Sequence, residues 1–217
     1  MHDRDLDGFT LATLSRAIAA REVSPAEVTE ACLARIERLA PHLNSFITVL
    51  PERALADARR AEAEIRRGER RGPLHGVPVA IKDIFATRGI RTTCGSRVLR
   101  DWVPEEDATV VRRLAEAGSV LLGKLNMSEF AYGAVHPDFG PPRNPWNLDR
   151  FTGGSSSGSG AAVAASLCFG SLGTDTGGSI RGPDAPSRNL GMEPNFRRVS
   201  PAGVLPPNMY DEQSRPQ

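Results

Sequence analysis

Lys82 and Lys124 are the only lysines among 217 residues. The first closes an apolar run, Gly76-Val77-Pro78-Val79-Ala80-Ile81, that reads as a buried strand. Burial disfavours the ammonium form, so a lysine at the end of such a strand can shed its proton near neutral pH and serve as a general base. The alternative is a lysine that snorkels to the surface. Serines crowd two later stretches. Residues 151–160 read FTGGSSSGSG, which suits either a soft linker or a loop whose glycines allow close backbone approach while its serines supply hydroxyls. Residues 173–181 read GTDTGGSIR. Two glycines ahead of Ser179 let successive N–H groups converge on one point, as an oxyanion hole requires during acyl transfer. A plain turn is the alternative there.

Other chemistries fit less well. The histidines His2, His42, His75 and His136 show no paired spacing, so no metal site is expected. Gly154-Ser155-Ser156-Ser157-Gly158 matches the nucleophile elbow G-x-S-x-G, but no histidine follows it, and Asn147-Leu148-Asp149-Arg150 does not read as the strand an elbow needs upstream. GSVLLGKL at 118–125 approaches a phosphate-binding loop, yet Leu125 replaces the magnesium-binding hydroxyl and the interior is too apolar, so a strand is the better reading. Cys32, Cys94 and Cys168 are odd in number and match no metal pattern, which favours a reducing cytoplasm. A net charge of +1 gives no whole-chain case for nucleic acid or an anionic membrane surface. The N-terminus shows no signal peptide, and no run reaches the roughly 18 apolar residues of a membrane span.

Elements must hold these groups in place. Thr10 can cap a helix carrying Leu11, Leu14, Ala17 and Ile18, and Ser24-Pro25-Ala26-Glu27 is a capping box that opens a helix to about Leu39. A charged helix is expected over 52–67, a helix capped by Asp107 runs to Ala117, Val120-Leu121-Leu122 is a second buried strand, and Ala161–Cys168 suits a closely packed helix. Helices alternating with short apolar strands argue for an α/β fold.

Taken together, GVPVAIKD, GGSSSGSGAAVAA and GTDTGGSIRGP, supported by DATVVRRLAEAGSVLLGKLNMSEFAYG and NPWNLDR, resemble the amidase signature family of serine hydrolases over residues 8–181. The resemblance implies a mixed β-sheet core covered by helices and a Ser–cis-Ser–Lys triad. The nucleophile would be Ser179, the middle serine Ser155, 24 residues upstream and preceded by a cis peptide, and the base Lys82, a further 73 residues back. It further implies an oxyanion hole from the N–H groups of Thr176, Gly177 and Gly178, with Ser156, Asp175 and Arg181 in support. Neutral Lys82 would draw a proton through Ser155 from Ser179, which attacks an amide carbonyl, and the acyl-enzyme would then be hydrolysed by water. No cofactor is implied. The expected partner is a small-molecule amide, with no direct contact to nucleic acid or membrane, and family members are often homodimers.

The resemblance weakens after residue 181. The family runs to about twice this length, and its second half completes the sheet and much of the pocket. Where it continues with something like IPAALCGVVGLKP, this chain reads GPDAPSRNLGMEP, keeping Pro183, Gly191 and Pro194 in place, and GVLP at 203–206 returns in register. Asp184, Arg188 and Asn189 then fall where a buried strand is expected. Frame shifts in the coding DNA or decay would produce this pattern. Residues 182–217 hold seven prolines, and the last eleven residues read as disordered. One partial amidase domain spans 1–217, with poor solubility or a partner requirement, and little activity, expected of it alone. The alternatives are the amidase-type subunit of a tRNA-dependent amidotransferase, or an inactive remnant. NMSEFAYGAVHPDFGPPRNPWN looks more like a stand-alone amidase.

Overall fold

The structure, a computed structural model, describes residues 3–195 and 198–205. Two capping signals set the first helices. Thr10 and Thr13 cap reciprocally to open α1 (Leu11–Ala19). Ser24 Oγ accepts from Ala26 N and Glu27 N at the head of α2 (Pro25–Leu43), with Pro25 in the first turn. α2 outlasts the expected end at Leu39. Pro41 is tolerated in its final turn, and Asn44, in the left-handed conformation, ends the helix. A short strand β1 (Phe46–Val49), not among the elements expected above although its aromatic and β-branched run Phe-Ile-Thr-Val is a strand signal, leads into α3 (Pro51–Arg66).

The two apolar runs form the centre. β2 (Pro78–Lys82) and β3 (Val120–Leu125) are buried throughout and pair in parallel. β1 joins β3 antiparallel, and β6 (Ser171–Leu172) joins β2 in parallel, giving the sheet order β1-β3-β2-β6. One face of the sheet packs on α1, α2 and α3 through Leu14, Ile18, Val28, Ile36 and Ala58. The other face packs on α4 (Thr109–Glu116) through Val110 and Val111, with Ile81, Ile84, Phe85 and Met127. This is the expected mixed α/β core. Asp107 does not cap α4; Ala108 holds that position, and Asp107 Oδ1 accepts from Arg88 N at 2.7 Å instead.

Three segments depart from their local reading. Asn147–Phe151 is a strand after all, β5, exposed along its length and paired with β4 (Arg143–Asn144) in a hairpin whose turn is closed by Trp146 N donating to Asn144 Oδ1. A strand with solvent on both sides needs no apolar alternation, which is why its sequence does not look like one. The helix expected at Ala161–Cys168 is α5, Ser157–Ala164. It begins in the serine–glycine run because tertiary packing overrides weak helix propensity. A Cβ on Gly158 would collide with the backbone of Ser45 and Asn126, and one on Gly160 would crowd Pro183. Gly158→Ala is therefore expected to destabilise the chain by about 1–3 kcal/mol. The check is urea unfolding against Gly177→Ala, where an added Cβ meets nothing within 4 Å.

The third departure lies after the serine loops. Residues 181–187 form a helix, α6 (Arg181–Ser187), and not the expected strand. Just beyond it Asn189 Nδ2 donates to Gly160 O at 2.8 Å and approaches Asp184 Oδ1, and Arg188 lies over the Trp146 ring, whereas Ser187 Oγ within the helix is buried without a hydrogen-bond partner among the described residues. Val204, in GVLP, is buried and bridges to Phe85. The last eleven residues, 207–217, lie outside the described residues.

Candidate active site

Lys82 is the last residue of β2, and its side chain has no exposed surface. That rules out the snorkelling alternative. Its Nζ lies 2.6 Å from Ser155 Oγ and 2.8 Å from Thr174 Oγ1. Burial pushes this amine down from 10.5 to about 7, although the Asp175 carboxylate pulls the other way. The strand delivers the lysine to a place where water cannot solvate its charge, so the neutral form is populated near pH 7.

Ser155 and Ser156 sit just ahead of α5, and both are buried. The Gly154–Ser155 peptide is cis, and Ser155 O accepts from Ser128 N at 3.1 Å. The stretch that also suits a linker is thus packed inside the molecule. Ser156 ties it to the next loop: its N–H donates to Ser179 O at 3.1 Å, and its Oγ donates to Thr174 O at 3.3 Å.

Ser179 is half-buried on the loop between β6 and α6. Among the described residues, no hydrogen bond joins its Oγ to Ser155. Such bonds are often long in a free enzyme and tighten only when substrate is held. Asp175 shapes the loop. Its carboxylate accepts from Gly178 N at 2.5 Å, Ile180 N at 3.0 Å and Arg181 N at 3.3 Å, and from Arg181 Nε and Nη2 at 3.0 and 3.1 Å. Burial raises the pKa of Asp175, but the Arg181 side chain and these N–H groups more than offset that and hold the group well below the usual carboxylate range. Arg181 also pairs with Glu193 at 2.9 Å.

Of the N–H groups expected to form an oxyanion hole, that of Gly178 donates to Asp175. The N–H groups of Thr176, Gly177 and Ser179 donate to no acceptor among the described residues. Thr176 and Gly177 are exposed, and the loop borders an open groove of about 1170 Å³ whose walls include Phe85, Leu172, Ile180, Met192 and Val204.

Thr174 carries no signal of its own in the sequence. It and Thr176 sit in the same glycine-rich stretch, and nothing local distinguishes the one that reaches Lys82. Asp83 and Lys124 also form a buried ion pair at 2.9 Å that no local pattern announces. Among the described residues, no cluster of three or more His, Cys, Asp and Glu is placed to hold a metal ion, and no helix is long and apolar enough to cross a membrane.

Comparison with known proteins identifies the family. The Amidase family profile matches residues 27–215. Curated relatives from Methylococcus capsulatus and Halorhodospira halophila, each named as a subunit of glutamyl-tRNA(Gln) amidotransferase, are 54% and 55% identical over 198 residues, covering 90% of this chain. The chain spans 41% of the length of each. Among solved structures, the native peptide amidase of Stenotrophomonas maltophilia superposes with a TM-score of 0.84 at 38% identity, over 91% of this chain and 42% of its own. A protein from a vestigial complex bearing on the origins of an s-triazine catabolic enzyme superposes with a TM-score of 0.87 at 42% identity, over 91% of this chain and 44% of its own. The profile match over most of the chain, on a fold shared with amidase signature enzymes, places this protein in the amidase family.

Proposed function

We propose that this chain holds the catalytic elements of an amidase that cleaves a carboxamide C–N bond through Ser179, Ser155 and Lys82. The observation that supports it is the 2.6 Å approach of a wholly buried amine, with its pKa near 7, to the hydroxyl of Ser155. Uncharged Lys82 takes the Ser155 proton while Ser155 takes the proton of Ser179, and Ser179 Oγ bonds to the amide carbon. Negative charge on the carbonyl oxygen is met by the Thr176 and Gly177 N–H groups, each worth about 3–4 kcal/mol in comparable sites. The proton returns through Ser155 to the leaving nitrogen, the C–N bond breaks, and water releases the acyl group. Thr174 keeps the amine aimed at Ser155. The substrate is a small carboxamide whose acyl part enters the groove beside β6.

The test is covalent capture. A fluorophosphonate should modify Ser179, located by peptide mass mapping, and the Ser179→Ala chain should take up no label. Modification elsewhere, or none, would count against the reading.

One finding favours a more specific version. The 54–55% identity is to proteins named as amidotransferase subunits, above the 38–42% to the peptide amidase and the s-triazine-related protein. In this version the amide is glutamine, the product is ammonia, and companion subunits complete the system and handle the tRNA. Glutamine hydrolysis that needs companion subunits supports it. Hydrolysis of simple amides without them supports the stand-alone enzyme.

A further inference from the structure

The chain's two lysines lie on adjacent strands, and both side chains are wholly buried. In the β2–β3 register Ile81 stands opposite Lys124, and Lys82 stands opposite Leu125. Side chains alternate along a strand, so Lys124 shares the face of Ile81 while Lys82 leaves from the other face toward Ser155 and Thr174. On its own face Lys124 Nζ lies 2.9 Å from Asp83 Oδ1 and donates to Phe85 O at 3.0 Å and Thr92 Oγ1 at 2.7 Å. Asp83 follows Lys82 directly in the chain. Its Oδ2 accepts from Thr93 N at 2.7 Å and from Thr93 Oγ1 at 2.6 Å.

An anion one residue from the amine threatens its neutrality. Charges in a protein interior act over many ångströms because no water screens them. Left unbalanced, the Asp83 carboxylate would favour the ammonium form of Lys82 and undo the effect of burial. Left unbalanced, Lys124 would do the reverse. Cys94 shows that these groups share one neighbourhood. Burial pushes its thiol up to about 12, with Asp83 raising it further and Lys124 and Lys82 opposing, so it is an uncharged thiol at neutral pH. Against burial, the ammonium form of Lys82 is favoured by Asp175, from the loop between β6 and α6 and itself bound to Arg181, and, when ionised, by Cys94.

We propose that Lys124 is a charge-balancing residue for the site: by neutralising Asp83 on the far face of β2, it lets Lys82 remain an uncharged base. Lys124 touches no reacting atom and acts through Asp83. The inference rests on the reading of Lys82 as the base.

The experiment follows lysine side chains by NMR in the full chain, labelled with ¹³C at the ε carbon and titrated with pH. With two lysines, the spectrum has two side-chain signals, and Lys124→Met assigns them. In Lys124→Met the Lys82 midpoint should rise by about one pH unit, the size of one Coulomb interaction across several ångströms of protein. In Asp83→Asn, which preserves shape, it should fall by a similar amount. In Asp83→Asn/Lys124→Met it should return to the wild-type value. A purely structural role predicts something else, since loosened packing lets water reach Lys82 and moves both single variants up. Shifts of the same sign, or a double variant that does not return, would overturn the proposal. Should Lys124→Met not fold, the fall in Asp83→Asn and the return in the double variant decide the matter. A wild-type Lys82 that titrates near 10.5 would instead remove the base reading itself, so the two failures can be told apart.

Discussion

Lys82→Met is expected to slow acylation of Ser179 by about 10³–10⁴-fold and, in the same variant, to make the chain more stable at neutral pH. In the proposed relay the first effect follows from removing the base that takes the Ser155 proton as Ser155 takes that of Ser179, near the upper end of what general-base catalysis contributes. The second follows from linkage. An unfolded lysine titrates near 10.5, whereas buried Lys82 titrates near 7. Between those values the unfolded chain binds a proton that the folded chain does not, so the lysine's contribution to stability rises with pH across that window. Below about pH 7 the whole cost of burying the amine is present, about 4–5 kcal/mol. Methionine fills similar space without it. Urea unfolding of both chains at pH 6.5 and pH 9 reads the effect. The variant should be the more stable at the lower pH, and the gap should narrow at the higher. A gap that does not depend on pH would mean that Lys82 is not a buried neutral amine. Acylation of the wild-type chain should fall as pH drops through about 7, because protonated Lys82 cannot accept the proton.

Asp175→Ala is expected to cost about 10²–10³-fold in Ser179 acylation, comparable to losing an oxyanion donor. Five hydrogen bonds end on this carboxylate, three of them from backbone N–H groups that bracket Ser179. Without it those donors lose their acceptor and the loop loses its shape, at a cost of about 2–4 kcal/mol. Its pKa is depressed in the folded state, so its contribution is present above the ordinary carboxylate pKa and is lost as pH falls below it. Asp175→Asn should recover part of the loss, since one oxygen still accepts while the amide nitrogen confronts other donors. Fluorophosphonate labelling rates, read beside unfolding midpoints, separate the two contributions. An alanine variant that labels at the wild-type rate would show that Asp175 does not organise the nucleophile loop.

The open side of the molecule bears on both results. β6 ends the sheet, the groove lies beside it, and the relatives carry more than twice the length of chain. Labelling of Ser179 by a small reagent is therefore a better first readout than turnover of a bulky amide.

Local signals determined much of the scaffold. The caps at Thr10 and Ser24 and the apolar runs of β2 and β3 needed only neighbouring residues to be recognised, because a capping hydrogen bond and a strand's burial pattern are short-range facts. The position of Lys82 at the end of a buried strand was legible for the same reason. Motif resemblance singled out Ser155 and Ser179. Tertiary structure decided the rest, through contacts that no window of sequence contains. Lys82 meets Ser155 across 73 residues and Thr174 across 92. α5 forms in a serine–glycine run because its glycines pack against distant backbone, and α6 replaces the expected strand, with Asn189 and Arg188 just beyond it partnered by Gly160 and Trp146. The Gly178 N–H is taken up by Asp175, three residues away, a choice among geometrically similar turns that only the packed loop makes. The Asp83–Lys124 pair is hidden for a related reason. Each residue looks ordinary in its own strand end, and the charge balance exists only once β2 and β3 lie side by side.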